Sequence, residues 1–176
     1  MNLPNKLTVA RVIAVPFFIV TYIMGMYWVA LIIFIAASFT DMLDGKIARA
    51  RGLVTNFGKI MDPLADKILV YSALCLFIEY GLIPAWMLII ILAREFAIAG
   101  MRTVAASEGK VLAAGMSGKI KTVLQMIAVP VMMLGQAIPT VPIIGTIGYI
   151  VFIASLIMTV YSGAEYIIKN KEVFSM

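Results

Sequence analysis

Apolar positions in this chain do not alternate with polar ones as they do on a half-buried helix or strand. Runs of about 18 or more mostly apolar residues recur, each long enough to cross a bilayer as a helix. Six segments can be drawn, near 11–26, 28–47, 58–80, 83–101, 118–137 and 142–167. Turn residues separate them: Gly25 ahead of Tyr27 and Trp28, Gly81 ahead of Pro84, and Pro139 and Pro142 around Thr140. Pro16, Pro63 and Pro130 fall inside segments, where a membrane helix tolerates proline once its neighbours satisfy the freed carbonyl. The pattern predicts an all-α integral membrane protein: six transmembrane helices forming a single domain over residues 1–176.

The residues before the first segment read differently. Asn5, Thr8 and Arg11 recur every three positions and share one helical face, with Leu3, Leu7 and Ala10 on the other. Pro4 suits a first helical turn. A short N-terminal interfacial amphipathic helix is expected here, either a simple anchor or a face that also touches a ligand. The first apolar segment exceeds the 7–15 residues of a signal-peptide core, and more spans follow, so it is read as retained.

Composition agrees with the pattern. The chain is 63% hydrophobic and 13% charged, against roughly 25% charged in soluble domains. Its single cysteine, Cys75, cannot form an internal disulfide. With no histidine, a Cys/His metal cluster is excluded. Cys75 sits in an apolar run and is expected to be a small buried core residue.

Charge supplies an orientation. The 14 Lys and Arg residues fall in the N-terminal segment, the second-to-third connection, the fourth-to-fifth connection region and the tail, helix ends included. The connections near 25–28, 79–84 and 137–142 contain none. The positive-inside rule therefore predicts cytoplasmic termini and a cytoplasmic face for both long connections. The formal charge of +5 then meets anionic headgroups and phosphate-bearing substrates. Aromatic residues do not interleave with these cations as in a nucleic-acid surface, so no nucleic-acid partner is expected.

Four acids stand out against this background. Asp41 and Asp44 are three apart near the end of the second segment, and Asp62 and Asp66 are four apart near the start of the third. Each spacing puts its pair on one helical face. Two antiparallel helices can aim all four at a cavity just inside the membrane surface. Gly45, Ala48 and Gly58 leave space beside them. Clustered carboxylates repel one another unless protons or metal ions neutralise them. Oxygen-only ligands select hard cations, and four carboxylates match two ions of the kind that assist phosphoryl transfer. Interfacial charges paired with Lys46, Arg49, Lys59 and Lys67 are the bland alternative.

The stretch Asp41-x2-Asp44-Gly45-x2-Ala48-Arg49-x8-Gly58-x3-Asp62-x3-Asp66 resembles the signature of the CDP-alcohol phosphotransferase family, with every position filled. That family displaces CMP from a CDP-linked substrate by an alcohol. The resemblance implies two divalent ions, Mg²⁺ or Mn²⁺, held by Asp41, Asp44 and Asp62 and by Asp41, Asp62 and Asp66. It implies Asp66 as the base that deprotonates the alcohol. It also implies that Gly45, Ala48, Arg49 and Gly58 accommodate the cytidine diphosphate, and that the chain forms a homodimer.

The remaining cations bear on the acceptor. Arg94 and Glu95 interrupt the fourth segment, Arg102 follows, and Lys119 and Lys121 open the fifth. These cations make an anion pocket, with arginine as a fork for phosphate and lysine as a point charge. Glu95 projects about 100° from Arg94 on a helix and is not an obvious partner for it. The stretch from Ala93 to Gln125 and the opening Asn2–Arg11 resemble the branch of the family that forms phosphatidylglycerophosphate. This implies CDP-diacylglycerol and glycerol 3-phosphate as substrates, and membrane lipid as the surroundings. Asn5, Thr8 and Arg11 then belong with the CDP-lipid; Arg94, Arg102, Lys119 and Lys121 belong with the glycerol phosphate. The rival readings are a cardiolipin synthase or inositol-phosphate transferase of the same family, a cation transporter, and a non-catalytic assembly protein.

Overall fold

In a computed structural model, the chain folds into six α-helices, with no strand among the described residues. The backbone is described for residues 3–50, 56–110, 112–113 and 115–171; within the helices, the side chains at 3–6, 41–50, 56–60, 62, 63 and 66 lie outside that description. The helices are α1 (Leu3–Ile23), α2 (Tyr27–Ala50), α3 (Asn56–Glu79), α4 (Ala85–Ser107), α5 (Met116–Ala137) and α6 (Pro142–Lys169).

Each predicted segment became one helix. The largest departure is at the N-terminus, where the expected interfacial helix and the first segment are one continuous helix, α1. Nothing between Leu7 and Val15 breaks the helix, and Pro16 is absorbed inside it. Helix α4 also runs six residues past the predicted end at 101, because Arg102 to Ser107 contains no glycine or proline to stop it. Gly25 and Gly81 end their helices with φ of 73° and 70°, the left-handed conformation that glycine adopts without penalty.

Helices of 21 to 28 residues are about 32–42 Å long at 1.5 Å per residue, enough for a hydrocarbon core of about 30 Å. By length and composition, α5 and α6 pass as membrane spans among the described residues. The outer surface of the bundle is apolar: Phe17, Ile32, Ile89, Ile150 and Ile168 are all exposed. Such a surface is that of a membrane protein, since a water-soluble monomer rarely exposes a large apolar patch. Cys75 belongs to this surface and is exposed, contrary to the expectation of burial. An apolar run in a membrane helix faces lipid as readily as core, so hydrophobic neighbours do not imply an inward position.

The core runs the length of the bundle. Helix α1 packs on α2 and α3, α2 also meets α5, α5 pairs closely with α6, and α4 lies against α6. Phe18, Tyr22, Phe34, Phe77, Met133 and Phe152 are fully buried within it. Tyr22 makes edge contacts with Tyr27 and Tyr80, which gathers the ends of three helices at the pole away from the aspartates. Its hydroxyl donates to Gln136 Oε1, which adds α5 to the same pole.

Close approach of α5 and α6 depends on glycine. A Cβ on Gly135 would lie 2.5 Å from Gly145 Cα, and one on Gly148 would lie 2.7 Å from Met132 N. These small residues therefore serve packing within one chain. Gly148→Ala is expected to destabilise the protein by about 1–3 kcal/mol, because the obstructing atoms include the Met132 backbone, which cannot swing aside. Thermal unfolding in detergent checks this, with Gly100→Ala as control; a Cβ there meets nothing within 4 Å.

Candidate active site

The alternation of helix directions brings the polar ends together. Helix α2 finishes at Ala50 and α3 resumes at Asn56; a connection this short spans at most about 20 Å, so both ends share one pole. Asp41 and Asp44 lie in the last turns of α2, and Asp62 and Asp66 in the first turns of α3. Their backbones are helical, so each pair keeps its same-face spacing. The side chains of Asp41, Asp44, Asp62 and Asp66 lie outside the described residues, as do those of Asn5, Gly45, Ala48, Arg49 and Gly58.

Two residues of the predicted CDP-lipid set are described. Thr8 and Arg11 are buried, at 1% and 2% exposure. Arg11 Nε donates to the Ala37 carbonyl at 3.2 Å, one turn of α2 before Asp41. Thr8 and Arg11 thus turn into the bundle, and Arg11 toward the helix that bears the first aspartate pair.

Beside this region a cavity of about 730 Å³ opens among α3, α4, α5 and α6. Lys67, Arg94, Arg102 and Lys119 contribute cations to its wall. Lys67 directly follows Asp66, so the wall begins one residue from the aspartate motif. Arg94 crosses between helices in a slot made by two glycines. A Cβ on Gly118 would lie 3.1 Å from Arg94 Nη2, and one on Gly163 would lie 3.0 Å from Arg94 Cγ. Arg94 Nη2 donates to Ser162 Oγ at 3.0 Å, and Arg102 Nε donates to Tyr166 Oη at 3.0 Å. On the same wall, Glu165 accepts hydrogen bonds from Ser117 and from Lys169.

Glu95 corrects the sequence expectation. Its Oε1 lies 2.9 Å from Arg94 Nη1, so these neighbours do pair. Cβ directions about 100° apart do not prevent contact, because both side chains are long enough for their charged ends to meet. The same carboxylate also binds Lys121 Nζ at 2.5 Å and Lys67 Nζ at 2.8 Å. Lys121 is buried at 5% exposure and lines a smaller neighbouring cavity together with Gln125 and Tyr71. The large cavity thus gathers Arg94, Arg102 and Lys119, while Lys121 sits behind its wall as an ion-pair partner.

Sequence reasoning passed over Ser162, Glu165 and Tyr166 on α6. A signal was available: Ser155, Thr159, Ser162 and Tyr166 recur at helical spacing through the most apolar segment, and all four are buried.

Six apolar helices, an aspartate motif at one pole and a cationic cavity beside it define a membrane enzyme of phosphoryl chemistry. A family model for CDP-alcohol phosphatidyltransferases matches residues 1–161, and the chain belongs to that family. Among curated proteins it is 43% identical to the CDP-diacylglycerol–glycerol-3-phosphate 3-phosphatidyltransferase of Bacillus subtilis, over 97% of this chain and 96% of that one. It is 34% identical to the enzyme of the same name from Rickettsia bellii, over 98% and 97% of the two chains. The corresponding enzyme of Sodalis glossinidius is 32% identical over 95% and 93%.

Proposed function

We infer that this protein transfers the phosphatidyl group of CDP-diacylglycerol to glycerol 3-phosphate, giving phosphatidylglycerophosphate and CMP. The observation that carries this reading is the cavity lined by Lys67, Arg94, Arg102 and Lys119, one residue along the chain from the aspartate motif. An acceptor bearing its own phosphate needs such a wall; a phosphate-free alcohol does not. The near full-length likeness to enzymes named for this reaction supports the same acceptor.

In this reading Arg94, Arg102 and Lys119 receive the glycerol phosphate, and Lys121 acts from behind the wall. Asp66 takes the proton from the primary hydroxyl. The resulting oxygen attacks the lipid-side phosphorus in line, the bond from that phosphorus to the CMP oxygen breaks, and CMP departs. Asn5, Thr8, Arg11, Gly45, Ala48, Arg49 and Gly58 hold the CDP-lipid; the burial of Thr8 and Arg11 beside α2 supports the share given to those two. The donor set of four carboxylates on adjoining helix ends fits hard divalent ions. Asp41, Asp44, Asp62 and Asp66 would hold two of them, Mg²⁺ or Mn²⁺, which supply charge stabilisation for the phosphate oxygens and the leaving group.

All six helices span the membrane in this reading, with both termini and the site on the cytoplasmic side. The lysine and arginine distribution supports that orientation. The acyl chains then remain in lipid while the headgroup chemistry takes place at the surface. A homodimer is proposed on the family resemblance; cross-linking in native membranes tests it.

The deciding assay offers purified protein CDP-diacylglycerol with glycerol 3-phosphate, glycerol, inositol phosphate or phosphatidylglycerol, and measures CMP release. Glycerol 3-phosphate is expected to exceed glycerol by about 100-fold or more, since a site of charged groups rejects an analogue that leaves them unpaired. Preference for glycerol, inositol phosphate or phosphatidylglycerol defeats the assignment.

A further inference from the structure

Three cations from three helices converge on one carboxylate. Glu95 on α4 binds Lys67 of α3 at 2.8 Å, Lys121 of α5 at 2.5 Å, and its own neighbour Arg94 at 2.9 Å. The three cations differ in access. The side chain of Lys67 is 40% exposed and that of Arg94 15%, and both line the large cavity. That of Lys121 is 7% exposed and lines only the smaller one.

We propose that Glu95 is a positioning residue for the acceptor phosphate, fixing Lys67 and Arg94 on the cavity wall and retaining Lys121 behind it. The proposal rests on the function given above and adds Lys67 to the phosphate-binding set. Three cations sharing one carboxylate leave an excess of positive charge, so the wall still attracts a dianion. Without Glu95, three like charges crowd a half-buried site and repel one another. Both lysines then lose the contact that defines where their flexible chains end. Arg94 keeps Ser162 and the glycine slot, so its position depends less on Glu95. Lys67 has the most to lose, being the most exposed of the three.

The geometry also divides labour between the two lysines. Lys67 can exchange a carboxylate oxygen for a phosphate oxygen while staying at the wall. Lys121 is held against Glu95 by burial, so its charge acts chiefly as counter-ion. A direct phosphate ligand and a counter-ion differ in how their removal affects substrate binding.

The test measures CMP release in CDP-diacylglycerol mixed micelles while glycerol 3-phosphate is titrated, for wild type, Glu95→Gln, Glu95→Asp, Lys67→Met, Lys121→Met and the Glu95→Gln/Lys67→Met pair. Glu95→Gln is expected to raise KM for glycerol 3-phosphate about tenfold, the loss of one charge-assisted contact, with KM for CDP-diacylglycerol moved far less. Lys67→Met should match it, and the double variant should be no worse than about the larger single effect, because both remove one unit. Lys121→Met should raise that KM by a smaller factor than Lys67→Met. Glu95→Asp keeps the charge and should fall between wild type and Glu95→Gln. Should Glu95→Gln fail to elute as folded protein, Glu95→Asp and the two lysine variants carry the comparison. An unchanged or lowered KM in folded Glu95→Gln, or a Lys121→Met effect equal to or above that of Lys67→Met, overturns the proposal. Wild-type protein that uses only phosphate-free alcohols sinks the function and this role with it. Wild-type activity on glycerol 3-phosphate with no effect of either Glu95 or Lys67 sinks the role alone.

Discussion

Asp66→Asn is expected to lower kcat by about 10³-fold or more, the scale of a lost general base at a reacting hydroxyl. Asparagine matches aspartate in size and nearly in helix propensity, so α3 should form as before. The amide can neither accept the hydroxyl proton nor contribute negative charge to the carboxylate cluster. Membrane insertion and elution from a sizing column should therefore be retained while CMP release falls to background. KM for glycerol 3-phosphate should move much less, because the phosphate wall of Lys67, Arg94, Arg102 and Lys119 is untouched. A folded variant that keeps kcat within about tenfold of wild type would remove Asp66 from the role of base.

Most of the fold was legible because membrane helices must satisfy their own backbone. Runs of apolar residues broken by Gly25, Gly81 and the Pro139–Pro142 region mark six helices, and all six formed, with α1 starting eight residues earlier and α4 ending six later than drawn. What failed was the inference from polarity to a boundary. Asn5, Thr8 and Arg11 read as the face of a separate surface helix, yet the helix runs on through Arg11 and buries Thr8 and Arg11. A polar stripe in an apolar chain points to other polar groups as readily as to water. Cys75 shows the converse, since an apolar neighbourhood did not make it core.

The aspartate motif was legible in the sequence, and the cavity wall less so. Fixed spacing exposes Asp41, Asp44, Asp62 and Asp66 because helical periodicity converts sequence distance into a shared face. The cations around the cavity come from α3, α4 and α5, and no local pattern states which of them meet. Glu95 was the hidden term: one carboxylate draws Lys121 behind the wall and holds Lys67 on it. Ser162 and Tyr166 anchor Arg94 and Arg102 from α6, far along the chain. Such pairings follow from packing, which sequence spacing does not encode.

Removal of divalent cations is the other change expected to act strongly. Four carboxylates brought to one pole repel one another, and among the described residues the nearby cations are partly engaged elsewhere: Lys67 and Arg94 with Glu95, and Arg11 with the Ala37 carbonyl. A chelator in excess should bring CMP release to background, and Mg²⁺ or Mn²⁺ should restore it where Na⁺ at equal ionic strength does not. Binding should also register without any turnover. An ion that binds only the folded state at 100 times its Kd stabilises that state by about 2.7 kcal/mol, so the thermal midpoint should rise with Mg²⁺ concentration. Asp62→Asn should blunt that rise, whereas Arg102→Ala, which removes no carboxylate, should leave it intact. Full activity in chelator, or a midpoint indifferent to Mg²⁺ and Mn²⁺ alike, would return the aspartates to the status of interfacial charges. A rise that survives Asp62→Asn would place the binding elsewhere on the protein.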